Sequence, residues 1–284
     1  MTRSNRHGGV ALMLVLWLVL LLAALVGAFA IAARVENLQG RVLSDGVVAQ
    51  EAARAGLEYA LERVGESDPR LRWRPDGREY DWRFGAAGVR VRIVDESGKV
   101  DLNLADAALL AGLLQGAGAP PERAAALAGA ILDWRDPDDL TQPGGGAEDA
   151  DYAAAGLAYG AKDAPFESIA EVERVLGMTP ALYERLAPSL TVNGIGLPQR
   201  EFAPPLVLSA MGLDPQQVLA ERGAARPGDL VAGSGTYSIE SRATLGSGRS
   251  AVLRAVVRVG GQGVAGSTAS AYTALRWQEG MAAP

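Results

Sequence analysis

Hydrophobic and polar positions divide the chain into three regimes. The first is one unbroken apolar run. Residues Val10 to Ala33 carry no charge, and Arg34 and Glu36 close the run. As a helix rising about 1.5 Å per residue it reaches about 36 Å, enough to cross a hydrocarbon core of roughly 30 Å with some tilt. Beyond Arg34 the pattern becomes a stripe: Val35, Leu38, Val42, Ala49, Ala53, Leu57, Ala60 and Val64. Spacings mostly of three and four put these residues on one helical face. The pattern therefore predicts a single helix from Val10 to Val64, on the order of 80 Å long, half in a bilayer and half packed on a soluble body. Ala49, Ala52, Ala53 and Gly56 keep part of the stripe narrow, and its second half reads as ordinary core. Gly40 and Gly46 weaken the middle by roughly 1 kcal/mol each relative to alanine.

The second regime begins after Gly65. Tyr80–Phe84 reads as a short strand, and Gly88–Val94 alternates apolar and charged residues as a half-buried strand does. Asp95–Gly98 is a turn. More than a hundred residues of helical pattern follow. Asn103 is placed to cap a helix through about Gln115, and Pro121 opens one running to about Trp134. Ser168-Ile-Ala-Glu171 is a capping box for a helix ending at Gly177. Thr179-Pro180 and Asp214-Pro215 open two more, to about Leu186 and Gly223. Short helices joined at glycine, with Leu-Gly-Met-Thr-Pro between two of them, look like helix-hairpin-helix or SAM-like packing. Such hairpins often bind nucleic-acid phosphates and are as often a compact helical module.

Strands return in the third regime, at Thr236–Leu245, Ala251–Val259 and Tyr272–Gln278. Strands on both sides of the helical stretch predict one antiparallel sheet interrupted by an inserted helical domain. The fold class is α+β.

The position of the apolar run now matters. Arg3 and Arg6 precede it with nothing comparable just after, which favours a cytoplasmic N-terminus with the rest of the chain across the membrane. A cleaved signal peptide has a shorter apolar region and a small-residue site at its far end. A plain anchor is a second reading. A type IV prepilin-like leader is the third, since a basic stretch ending in Gly9 directly abuts the apolar helix at Val10. Composition narrows the chemistry. The chain has no cysteine, and its single histidine is His7, within that leader. This removes Ser-His-Asp triads, Cys-His pairs and His-ligated zinc from the remainder. The formal charge is −6, more negative still if Arg3 and Arg6 are cut away, which argues against bulk nucleic-acid binding.

The chemically richest segment follows Ile131. Asp133, Asp136, Asp138, Asp139, Glu148, Asp149 and Asp151 place seven carboxylates within 19 residues around Gly144-Gly-Gly146. In a folded loop they repel one another, and a hard divalent cation such as Ca²⁺, which takes six to eight oxygen ligands, resolves the repulsion. The spacing is not that of an EF-hand. A solvated acidic loop and a carboxylate pair acting on a glycan are the competing readings.

Several motifs together carry a family resemblance. They are Gly9-Val-Ala-Leu, Asp95-Glu-Ser-Gly-Lys-Val-Asp-Leu-Asn103, Ile131-Leu-Asp-Trp-Arg-Asp-Pro-Asp138, Pro165-Phe-Glu-Ser168, Tyr183-Glu-Arg-Leu-Ala-Pro-Ser-Leu-Thr191 and Leu275-Arg-Trp-Gln-Glu279. The chain resembles the K-type minor pseudopilins of type II secretion (general secretion pathway protein K). The resemblance implies a leader at residues 1–9, a transmembrane helix at 10–33, and a pseudopilin core at 34–100 and 231–284. Between the core's two parts it implies an inserted all-α domain, SAM-like or helix-hairpin-helix, at 101–230. It implies cleavage between Gly9 and Val10 by a prepilin peptidase, N-methylation of Val10, and a place at the tip of a short filament driving protein export. That place is in the inner membrane of a Gram-negative cell, with the soluble part periplasmic. Expected neighbours are the I-, J- and H-type minor pseudopilins and the major pseudopilin, with no nucleic acid. Calcium is bound by some members. A minor pilin of a type IV pilus and a DNA-uptake pilin are the alternative readings. Most of this superfamily carries a glutamate at the fifth mature position. Here that residue is Leu14, and no acid lies between Val10 and Ala33.

Overall fold

The computed structural model describes residues 8–226, 231–260 and 272–281. The long helix α1 spans Gly8–Val64 without interruption, through Gly40 and Gly46. Residues 1–7 of the expected leader lie outside the described residues, while Gly8 and Gly9 begin the helix. This is the one helix among the described residues long and apolar enough to cross a membrane, with a mean hydropathy of 2.9 in its most apolar window. Packing on the body starts later than the stripe predicts. Val35, Leu38 and Val42 are exposed, and burial begins at Ala49. The reason is the size of the partner. α1 touches all five strands of one sheet, and five strands about 4.8 Å apart cover only about 13 residues of helix.

The sheet has the order β1-β2-β5-β6-β7 and is antiparallel throughout. β1 (Asp76–Phe84) and β2 (Ala87–Asp95) form a hairpin. β3 (Val100–Asp101) and β4 (Leu190–Thr191) form a separate short parallel pair. β5 (Thr236–Thr244), β6 (Ser250–Val259) and β7 (Tyr272–Met281) complete the main sheet. β2 pairs directly with β5, so the chain leaves the sheet after β2 and returns beside it. β1 and β7 are longer than the sequence pattern indicates. Their exposed residues are held by cross-strand hydrogen bonds that leave no hydrophobic alternation. Ala52, Ala53, Leu57 and Ala60 of α1 meet Val89, Val91, Ile93, Ile239 and Leu253 in one core. At Gly56 the helix comes so close that a Cβ would lie 2.6 Å from Val89 Cγ1.

A second core belongs to the segment between β2 and β5. It contains α2 (Ala107–Gly116), α3 (Pro121–Arg135), α4 (Asp149–Ala154), α5 (Pro180–Leu186), α6 (Pro205–Ala210) and α7 (Pro215–Ala224). The β3–β4 pair lies within it, so the segment is not purely helical. Two local expectations are corrected. Asp106, not Asn103, caps α2 by accepting from the Leu109 amide at 2.8 Å. Asn103 instead clamps Phe166, donating to its carbonyl at 2.9 Å and accepting from its amide at 2.7 Å. The Ser168–Glu171 capping box is present but opens a 3₁₀ helix, Ile169–Arg174, rather than an α-helix.

The Asp95–Gly98 turn is a buried joint between the two cores. Asp95 accepts from the amide and hydroxyl of Ser97 and from those of Ser234. Glu96, 2% exposed, accepts from Lys99 Nζ, Ser238 Oγ and Thr191 Oγ1. Burial of these charges is tolerable because each is fully paired or hydrogen-bonded.

Candidate metal centre

α3 ends at Arg135, with Asp136 as its C-cap and Pro137 after it. The chain then turns back along the same helix, and four glycines make the return possible. Gly144 and Gly145 adopt φ of 93° and 122°, a region that side chains disfavour. A Cβ on Gly129 would strike the carbonyl of Gly145, and one on Gly146 would strike the Asp133 carboxylate. The loop therefore lies directly on α3 and delivers Glu148, the N-cap of α4, beside Asp133 and Asp136.

Oxygens of Asp133, Asp136 and Glu148 all lie within 4.8 Å of one another. Asp133 is fully buried. Its Oδ1 accepts from the Gln142 amide at 3.1 Å and its Oδ2 from the Ala147 amide at 2.7 Å. Asp136 Oδ2 accepts from Gln142 Nε2 at 3.1 Å. Asp136 Oδ1 and Glu148 Oε1 are buried with no hydrogen-bond partner. No basic side chain enters the group among the described residues. Arg135, next to Asp136 in sequence, turns away to donate to the carbonyls of Leu102 and Ala105. Burial, and then the neighbouring Asp133 and Asp136, pushes the Glu148 carboxyl up to about 7. Burial also raises Asp133, against the lowering pull of its two amide donors.

Three oxygen ligands, two of them with orphaned buried atoms and none with a cationic partner, fit a hard cation such as Ca²⁺. The four other acids of the segment stand outside this group, and three of them hold the loop's backbone. Asp138 Oδ1 accepts from the Leu140 amide at 2.9 Å, and Asp149 Oδ1 from the Ala161 amide at 3.1 Å. Asp151 Oδ2 accepts from the Glu148 amide at 3.0 Å, closing the first turn of α4. Asp139 is exposed. Sequence reasoning missed Asp163. Its carboxyl is raised by burial and then by Asp149, Asp139 and Asp136, and its φ is 52°. Nothing in the sequence marks it, because it lies outside the acidic run and reaches its neighbours only through the fold.

A family model described as type II secretion system (T2SS), protein K, matches residues 92–194, a span containing both the buried joint and the acidic loop. Over those residues the chain is similar to the type II secretion system protein K family. It is 28% identical over 208 residues to "Type II secretion system protein K" of Klebsiella pneumoniae, covering 65% of this chain. The match takes in 62% of that relative's length. It is also similar in fold to a chain in the crystal structure of the GspK-GspI-GspJ complex from the enterotoxigenic Escherichia coli type 2 secretion system. The TM-score is 0.58 at 16% identity, over 85% of this chain and 99% of that one. The likeness is one of fold, a long apolar helix with an antiparallel sheet.

Proposed function

We propose that this protein is a minor pseudopilin of type II secretion, placed at the tip of a short periplasmic filament and acting mechanically rather than as a catalyst. The observation that carries the reading is the free half of α1. Residues 11–44 are exposed along the whole helix, apolar first and amphipathic after Arg34, while 49–60 are consumed by the sheet. A helix so exposed needs a bilayer for its apolar part and other helices for the remainder. In this reading residues 1–9 are a leader removed by a prepilin peptidase, Val10 becomes the methylated N-terminus, and the sheet lies on the periplasmic side of the inner membrane. The segment at 101–230 is then an inserted helical domain.

Position follows from Leu14. A carboxylate within the membrane is costly unless paired. An acid at the fifth mature position would pair with the amine of a subunit already assembled. A subunit that enters first has no such partner, and leucine is the better residue there. The I- and J-type pseudopilins that accompany the fold relative are the proposed neighbours, with the H-type and the major pseudopilin below. Calcium at Asp133, Asp136 and Glu148 would neutralise the buried acids and fix the loop on α3. Immunogold labelling of assembled filaments tests the placement. Gold at one end is expected, and gold along the shaft overturns the tip assignment.

A further inference from the structure

The main sheet has one face on α1 and one face turned away from it. The outward face is rich in arginine: Arg90 and Arg92 from β2, Arg242 from β5, Arg254 from β6 and Arg276 from β7. Arg90 stands directly opposite Arg242, a like-charge pair that disfavours the sheet. The next row runs Arg92, Glu240, Arg254, Gln278, and the one after it Val94, Ser238, Val256, Arg276. The acids here are few. Arg90 is paired with Asp81 at 3.0 Å, and Glu240 serves Arg254 at 2.8 Å and Arg242 at 3.8 Å. Arg92 and Arg276 have no acidic partner among the described residues.

The face is also concave. A hollow of about 290 Å³ has Val94 and Val256 as its apolar floor, Arg92, Arg254 and Arg276 around it, and Pro188 of the helical segment as one wall. A second hollow, of about 340 Å³, shares Lys99, Ser238, Val256 and Arg276 with the first and continues past Leu275 towards Thr191 and Asn193. The two make one groove where the sheet meets the helical segment. The charge of the chain is divided accordingly. Residues 101–230 hold 19 acidic and 8 basic side chains, and the rest of the chain holds 14 and 19.

We propose that this groove docks an extended acidic segment of another protein, its apolar side chains on Val94 and Val256 and its carboxylates facing Arg92, Arg254 and Arg276. Arginines around an apolar floor are the composition of an interface centre, and guanidinium matches carboxylate in geometry as well as charge. A lipid surface is the wrong occupant. The sheet is held by α1 from Ala49 onward, and Ala33 ends the apolar run 16 residues earlier, about 24 Å along the helix. That is about three times the screening length at physiological salt. A nucleic acid is also the wrong occupant, since Arg92, Arg254 and Arg276 form a single cluster over an apolar floor rather than a basic track along a phosphate backbone.

The test uses the full chain in nanodiscs of phosphatidylcholine and a fluorescein-labelled 12-residue peptide alternating glutamate with leucine. Anisotropy should report binding that weakens as salt rises and is at least tenfold weaker for the same peptide with glutamine in place of glutamate. The double variant Arg92→Glu with Arg276→Glu should lose at least tenfold in affinity. Arg123→Glu, exposed on α3, should stay within twofold of the parent. The milder pair Arg92→Gln with Arg276→Gln serves if the charge reversal does not fold, and should also lose affinity. Equal binding of the glutamine peptide, or binding indifferent to Arg92 and Arg276, overturns the proposal. So does tighter binding of a DNA duplex through the same arginines. Groove amides protected from hydrogen exchange by phosphatidylglycerol nanodiscs alone would overturn it as well.

Discussion

Asp133 Oδ2 accepts the amide of Ala147 at 2.7 Å, across 14 residues of chain, while its other oxygen takes the amide of Gln142. One buried carboxylate on α3 thus fastens both arms of the glycine-rich return loop, and through Ala147 it sets the position of Glu148. Asp133→Ala would leave two buried amide donors without acceptors. At about 1–3 kcal/mol for each of the two orphaned groups, the variant should lose about 2–6 kcal/mol. Urea unfolding should show the loss, and hydrogen exchange should show residues 140–152 opening first.

The Glu148 carboxyl gives a pH dependence of defined sign. Its folded value, about 7, lies above the ordinary 4.5, so between these values the folded state holds more protons than the unfolded one. Stability in chelator should therefore fall as pH rises from about 4.5 through about 7 and level off above. Glu148→Gln should flatten this stretch of the curve. Thermal melts at a series of pH values read it directly, and a slope unchanged in the variant would refute the assignment.

Calcium should act on the same group. A ligand bound only to the folded state adds about 2.7 kcal/mol at a hundredfold excess over Kd. The melting temperature should rise on replacing chelator with Ca²⁺, and the rise should vanish in Asp136→Asn with Glu148→Gln. Asp138→Ala should preserve it, because Asp138 serves the local turn at Leu140 and stands outside the three-carboxylate group.

Gly56 tests the contact between α1 and the sheet. Alanine there gains about 1 kcal/mol of helix propensity. Its Cβ, 2.6 Å from Val89 Cγ1 and against Ser241, forces the helix off the strands, an overpacking cost of about 1–3 kcal/mol. The substitution should be net destabilising in denaturant titration. Val89→Ala in the same chain should recover part of the loss, which a double-mutant cycle measures.

The proposed processing is tested at Gly9. Mass spectrometry of the mature protein should find Val10, methylated, as the first residue, and Gly9→Leu should leave an uncut, membrane-bound precursor. A mature N-terminus near Ala33 would return the apolar run to an ordinary signal peptide.

Much of the architecture is legible in the residues because periodicity is local. The uncharged run and the apolar stripe after it marked the span of α1, and alternation at Val89, Val91 and Ile93 marked the buried face of β2. Strands on both sides of the helical stretch implied a single interrupted sheet, as the β2–β5 pairing has it. Local chemistry was less decisive where two groups compete for one role. Asn103 and Asp106 are both good caps, and only the approach of Phe166 takes Asn103 away from the helix. The Ser168 box was readable, but the turn it opens closes as a 3₁₀ helix that buries Val172 in the second core.

The acidic site divides along the same line. By itself the sequence determined that seven carboxylates crowd a glycine-rich loop and that no cysteine, and no histidine after His7, is available beside them. It also determined the order of membrane helix, strands, helices and strands, since each follows from spacing along a few turns or one strand. Only the tertiary structure decided which acids meet. Asp133, Asp136 and Glu148 converge because Gly129, Gly145 and Gly146 allow the loop to lie against α3. Asp138, Asp149 and Asp151 are spent on backbone amides nearby. Convergence of carboxylates depends on how closely two backbones approach, and the arginine groove depends on which strands become neighbours. Both are distances between residues far apart in the chain, which no local pattern encodes.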